Sequence, residues 1–212
     1  MLFFVTGASG SGKSACIPGL RDQLGDYAIH DFDEVEVPED ADTRWRQQTT
    51  EYWISRAIEY QHMGRDTIIC GGAVYGEILA SPSITQIDRF AACLLDCNDL
   101  LRIERVRSRG NTISMDMLCW SAWLRVHAAD PTWCPEVITN GGCNLMQWQR
   151  WSHWQKGDPR WRQPLINTTE RKLAQINADI IRWIQHETAT DYPPPLAHQL
   201  DDNPEAHLSQ DG

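Results

Sequence analysis

The sequence predicts an α/β domain: a five-stranded parallel sheet with helices on both faces and a helical lid insertion. Three observations carry this. Short apolar runs alternate with helix-like patterns along the chain. The first run, Leu2–Thr6, ends at a glycine-rich turn that opens a helix. Between Gly110 and Pro164 lies a stretch of about 50 residues that a parallel sheet does not need.

The elements follow in order. Residues 2–6 (LFFVT) read as a buried strand, and a helix is expected from about Gly12 with Pro18 in its first turns. Tyr27–His30 is a second strand, followed by Asp31-Phe32-Asp33-Glu34. From about Thr43 to His62 the spacing of Trp45, Thr49, Trp53, Ala57 and Tyr60 fits an amphipathic helix. Thr67–Cys70 is a third strand, closing on Gly71-Gly72, and Phe90–Leu95 a fourth, ending at Asp96. Asn98 caps a basic helix that runs through Arg109 and stops at Gly110. In the insertion, Ser114 starts a helix to about Ala129, and Leu145–Lys156 reads as a second helix. Leu165–Ile166 is the fifth strand, and Leu173–Ile184 a last amphipathic helix. The expected organisation is therefore a core of residues 1–109 and 160–187, a Trp-rich helical lid at 110–159, and a disordered acidic, Pro-containing tail at 188–212.

Composition narrows the function classes. The 212 residues are 42% hydrophobic, enough for a packed core, and no run approaches a membrane span. MLFFVTGASG has no basic start and only a short apolar stretch, so no secretory leader is expected and the location reads as cytoplasmic. Seven cysteines without a C-x-x-C pair read as reduced thiols. A metal site from Cys119, Cys134 and Cys143 with His127 or His153 would match no compact ligand spacing. The net charge of −10 argues against broad nucleic-acid binding. From Glu187 onward, however, the chain has six acids and no Lys or Arg, which leaves the remainder near −4.

The strongest signal is Gly7-Ala8-Ser9-Gly10-Ser11-Gly12-Lys13-Ser14, a full G-x-x-x-x-G-K-[ST] match between a strand and a helix. Successive backbone N–H groups turned inward form a cradle for a di- or triphosphate, and the helix that begins at the loop's end, with Ala15 in its first turn, adds its positive pole. Lys13 would bridge the β- and γ-phosphates, and Ser14 would ligate Mg²⁺. ATP and Mg²⁺ are thus the expected cofactors. No N-K-x-D motif for guanine recognition occurs, and no apolar strand ends in Asp-Glu as a motor ATPase requires. Small kinases remain.

On these residues the chain resembles the small P-loop kinases of the shikimate kinase, gluconate kinase and adenylate kinase group, over about residues 1–110 and 160–186. The resemblance implies the P-loop NTPase fold. Asp31-Phe32-Asp33 matches an Asp-x-Asp at the end of the second strand, which implies Asp31 at the Mg²⁺ water shell and Asp33 facing the acceptor hydroxyl. Gly71-Gly72 is a shorter counterpart of a glycine cluster, with Ala73 in place of a third glycine. Arg44 or Arg46 corresponds to a substrate-helix arginine. The helix with Arg102, Arg105, Arg107 and Arg109 corresponds to one leading into a lid, which implies Arg105 against adenine and Arg109 at the transferring phosphoryl group. The lid itself is far longer than in shikimate kinases, so the resemblance points to a reaction type rather than an acceptor.

Further candidates come from the residues themselves. Arg160 and Arg162 could meet phosphate or an anionic substrate, and Asp96 could bind metal or cap the next helix. Seven of the ten tryptophans sit in the insertion or at its edge. Trp120, Trp123, Trp148 and Trp151 read mainly as a small core, whereas Trp45 and Trp53, near Arg44 and Arg46, could line the acceptor pocket. The expected reaction is transfer of the γ-phosphoryl group to a hydroxyl of a small polar metabolite or natural product. A nucleoside or nucleotide, a nucleic-acid hydroxyl, or no transfer at all by a non-catalytic ATP-binding regulator are the other readings. No membrane partner is expected.

Overall fold

The structure, a computed structural model, describes residues 1–190 and residue 196. Its strands are β1 (Leu2–Thr6), β2 (Ala28–Asp31), β3 (Thr67–Gly71), β4 (Phe90–Asp96) and β5 (Leu165–Asn167). They form one sheet in the order β2-β3-β1-β4-β5, every pair parallel, with Leu2 opposite both Thr67 and Phe90. The helices are α1 (Lys13–Gln23), α2 (Thr43–His62), α3 (Tyr75–Ala80), α4 (Asp99–Ser108), α5 (Met115–Ala129), α6 (Glu136–Thr139) and α7 (Leu173–Ala189). The chain builds β2 and β3 on one side of β1 and then crosses to build β4 and β5 on the other. A crevice therefore opens at the carboxyl end of β1.

Alternation along the strands gives the sheet two buried faces. Phe3, Val5, Ile68 and Leu95 face α1 and α7, where Ile17, Leu20, Ile180 and Trp183 close the core. Leu2, Phe4, Ile69 and Leu94 face the other way, onto α2, α3, α5 and the insertion. Among the described residues no helix is long and apolar enough to cross a membrane. The acidic tail expected from residue 188 falls outside the described residues from 191 on, residue 196 apart, and α7 continues to Ala189.

The insertion departs from the expected two-helix lid. Its first helix forms and is capped by Ser114, whose Oγ accepts from Met117 N (3.2 Å). Residues 145–156 are not a helix. They hold a 3₁₀ turn at Trp148–Arg150, and Trp151 N and Trp154 N donate three residues back to Trp148 O (3.2 Å) and Trp151 O (2.8 Å). The Trp148, Trp151, Trp154 spacing of three is the repeat of that tighter turn, not of an α-helix. Nor does the segment stand apart: Trp123, Trp151, Trp154 and Trp161 are buried in the same core as Tyr75 and Ile78. Three of these indoles are spent on backbone carbonyls, Trp151 Nε1 to Gly76 O (2.7 Å), Trp161 Nε1 to His127 O (2.9 Å) and Trp123 Nε1 to Cys134 O (3.1 Å), and that of Trp154 is buried without a hydrogen-bond partner among the described residues. Gln47 on α2 fastens the segment from the other side, donating to Ile138 O (2.8 Å) and accepting from Cys143 N (2.7 Å). Four cysteines (16, 70, 93, 97) are buried, all seven are free, and no group of three or more His, Cys, Asp or Glu that could hold a metal occurs among the described residues.

His127 lies at the centre of this aromatic core, stacked on Trp123 at 4.3 Å and edge-on to Trp151 and Trp161. Both ring nitrogens are buried without a hydrogen-bond partner among the described residues, and burial pushes its pKa down to about 3. The unfolded chain, with an ordinary imidazole, binds the proton more readily. Stability is therefore expected to fall as pH drops from about 6.5 towards 3, and His127→Phe should flatten that decline in urea titrations at several pH values. Trp151→Ala is expected to lower the stability of the whole chain by about 3–5 kcal/mol. Loss confined to a separate minor transition would instead mark the insertion as a detachable lid.

Candidate active site

The turn between β1 and α1 is shaped by glycine. Gly12 caps α1 with φ 108°, a left-handed conformation that a side chain resists. A Cβ on Gly7 would stand 2.5 Å from Leu95 O, so β4 packs directly on the loop. Three loop carbonyls are engaged from outside: Ser9 O accepts from Arg102 Nε (2.9 Å), Gly10 O from Arg105 Nη1 (3.1 Å) and Ser11 O from Thr168 Oγ1 (2.9 Å). In a trans peptide the N–H points opposite to the carbonyl, so the amides of Gly10 and Gly12 are turned inward, while Ser11 N is bonded within the loop to Ala8 O (3.1 Å). That is an anion cradle at the start of a helix.

Lys13 reaches back over the loop and donates to Ala8 O (3.1 Å). Burial lowers its pKa to about 8, against the opposing pull of Asp33 and Asp31. An ammonium has three donors, and two remain for phosphate oxygens.

Across the loop lies a cavity of about 320 Å³. Gly7, Ser9, Gly10, Gly12, Lys13 and Ser14 line it on one side, and Asp31, Asp33, Arg46, Gly71, Gly72, Arg109 and Trp120 complete it. Asp31 ends β2 and caps the 3₁₀ turn Phe32–Glu34, accepting from Asp33 N (3.1 Å). This turn holds Asp33 at the cavity wall. Burial raises the pKa of Asp33, Asp31 adds to the rise, and Lys13 opposes it. Glu34 points elsewhere, to Arg21 (2.8 Å) and His30 (2.7 Å).

Of the remaining candidates, Ala8, Ser11 and Ala15 belong to the loop and first turn without lining the cavity. Arg46 lines it and Arg44 does not. Two positions apart on a helix they face away from each other, and Arg44 is exposed. Trp53 is core: its Nε1 donates to Phe32 O (3.0 Å) and its ring lies 4.8 Å from His30. Trp45 packs edge-on against Phe32. Arg105 is turned to the outer side of the loop, towards Gly10 O and Cys97. Arg160 lies over Trp154 at 4.3 Å and pairs with Asp158 (2.7 Å), away from the cavity lining. Asp96 pairs with Arg125 (2.8 Å) while Asn98 caps α4.

Two further residues matter here: Glu77, which sequence reasoning missed, and Trp120, which it read mainly as core. Glu77, on α3, is fully buried and receives Arg46 through two hydrogen bonds (2.9 and 2.8 Å). Its signal was a lone acid in the apolar run VYGEILA. Trp120 lines the cavity, with Arg46 4.6 Å above its ring. For a divalent cation, the Ser14 hydroxyl and the Asp31 and Asp33 carboxylates are hard oxygen donors on one cavity. They fit Mg²⁺ carried in with a nucleotide rather than held by a protein cage.

No family model and no curated protein matches the chain. Solved structures do. A sugar kinase from Janibacter sp. HTCC2649 is 12% identical, covering 87% of this chain and 94% of its own, with a TM-score of 0.54. A shikimate kinase from Acinetobacter baumannii, in complex with shikimate, is 14% identical over 89% of this chain and 95% of its own, with a TM-score of 0.52. The APS kinase of Mycobacterium tuberculosis is 16% identical over 87% and 96%, with a TM-score of 0.50. At such identities the likeness is one of architecture: the chain has the five-stranded, all-parallel fold of the small P-loop kinases.

Proposed function

We propose that this chain is an ATP-dependent phosphotransferase that moves the γ-phosphoryl group of ATP onto a hydroxyl of a small polar metabolite or natural product. The observation that carries this reading is one cavity lined by both a phosphate loop and a carboxylate of raised pKa, Asp33. A nucleotide-binding regulator needs the loop but has no use for that carboxylate.

The chemistry follows from the placement. The inward amides of the loop and Lys13 hold the phosphates, and the α1 dipole adds to their field. Mg²⁺, when bound with the nucleotide through Ser14 and Asp31, supplies further neutralisation of the phosphate oxygens. Asp33 orients the acceptor hydroxyl and takes its proton as the oxygen attacks the γ-phosphorus. The bond to the β-bridging oxygen breaks and ADP leaves. Arg109, at the C-terminal end of α4, stands at the same cavity and offsets charge on the phosphoryl group in flight. The mostly exposed stretch 110–114, between Arg109 and α5, borders the site and is the part of the insertion free to close over it.

Asp33→Asn is expected to cut acceptor-dependent ADP release by about 10²–10⁴-fold while leaving nucleotide affinity nearly unchanged. For the unmodified chain kcat/KM for ATP, which reports the ligand-free state, should fall on the acid side at a pH above the usual carboxylate range, because protonated Asp33 cannot accept the proton. Transfer that survives Asp33→Asn would contradict the reading. Lys13 gives a second test. A polyphosphate favours its protonated form, so binding raises a pKa that starts near 8. ATP affinity is expected to be full below pH 8 and to weaken above it, with proton uptake visible by calorimetry in buffers of different ionisation enthalpy. Lys13→Met should abolish both.

A further inference from the structure

We propose that the acceptor is a hydroxyl compound with no acidic group, neutral or amine-bearing. The inference rests on the phosphotransferase reading and deepens it.

The fold divides the cavity. Lys13 belongs to the phosphate loop, and Arg109 comes from α4, on the β4 side of β1. Both cations are matched to a triphosphate that carries several negative charges. The acceptor half lies on the β2–β3 side, lined by Asp31, Asp33, Arg46, Gly71, Gly72 and Trp120. Its one arginine is already committed. Arg46 presents Nε and Nη2 to Glu77, the paired edge with which a guanidinium grips a carboxylate. Glu77 has no exposed surface, and Gln47 Nε2 (3.0 Å) donates to it as well. The ring of Trp120 lies against the guanidinium face. The pair is thus internally neutral, and its acid is locked in place.

What remains facing the acceptor is the negative charge of Asp33, next to Asp31 at the Mg²⁺ position. An acidic substrate would bring a second carboxylate beside them, with no unpaired cation on that side among the lining residues to offset it. A neutral polyol meets hydrogen-bond acceptors and the edge of an aromatic wall. An amine meets opposite charge. Selection against acids is therefore built into the site by Glu77, which removes Arg46 from service as an anion receptor.

Two measurements on the full chain test this. The first follows ADP release with ATP and Mg²⁺ over hydroxyl compounds in matched triplets, each scaffold carrying a neutral, an amino or a carboxylate substituent. Like charges brought together are costly, so the carboxylate member of any accepted triplet should be poorer by at least about tenfold in kcat/KM. A preferred carboxylate member overturns the proposal. The second needs no turnover. Tryptophan emission is followed while D-glucuronate, and separately D-glucosamine, is titrated into chain saturated with ADP and Mg²⁺. The unmodified chain should show no saturable response to glucuronate, and Glu77→Gln, which frees the charge of Arg46, should gain one. Saturable glucuronate binding by the unmodified chain that exceeds its glucosamine binding overturns the proposal, as does a folded Glu77→Gln variant with no gain. If no triplet accepts a phosphoryl group, the kinase reading falls, and the titration alone decides the charge rule.

Discussion

The site depends on where three carbonyls point. Ser9, Gly10 and Ser11 each give their oxygen to a donor outside the phosphate loop, which turns the Gly10 and Gly12 amides to the cavity and the Ser11 amide onto Ala8 O. Arg102 is the central donor. It is almost fully buried, and besides Ser9 O its guanidinium meets Asp99 (2.6 Å) and Met117 O (3.3 Å). Asp99 in turn accepts from Arg125 (2.8 Å) and Ser121 (3.0 Å), and Arg125 holds its pKa down to about 2. Arg125 also reaches Asp96 at the end of β4. A single ionic network thus ties the loop to β4, α4 and α5. Its value is geometric rather than energetic, since Asp99 is well exposed and such pairs contribute little to stability in water.

Through that network the insertion becomes part of the site rather than a cover for it. Residues 115–129 brace the loop by way of Arg125 and Met117, and they place Trp120 on the cavity wall. The tryptophan cluster beyond them fixes α5 against the sheet. Trp123, Trp151 and Trp161 find a partner for the buried N–H on a backbone carbonyl of a neighbouring segment, and Trp154 is left without one among the described residues. Such a core resists rigid-body opening. Any closure over a nucleotide is left to the short exposed stretch after Arg109.

The sheet was legible in the sequence because its signals are local. Each strand is a brief apolar run ended by a Gly, Asp or Asn, and the observed strands begin and end within a residue or so of those runs. The loop was legible for the same reason: glycine positions encode its path directly. What failed to show was tertiary. α3 is buried along its whole length, so it has no amphipathic period to betray it, and its Gly76 reads as a turn. Trp53 shares a helical face with Arg46, yet seven residues place it roughly 10 Å further along α2, beneath the Phe32 turn. Trp148, Trp151 and Trp154 gave a helix-like spacing because 3.0 and 3.6 residues per turn cannot be told apart over so short a span. Glu77 shows the same limit. Its charge was visible, but its partner is 31 positions away.

The central claim is that nucleotide and acceptor meet in one cavity, with the γ-phosphoryl group between Lys13 and Asp33. A crystal structure of the full chain with a non-hydrolysable ATP analogue and Mg²⁺ tests this most directly. The account predicts phosphates inside the Gly7–Ser14 turn, Lys13 moved from Ala8 O onto phosphate oxygens, and Asp33 facing the γ-phosphorus across the remaining space. Phosphates bound outside the turn, or Asp33 directed away from them, would contradict it.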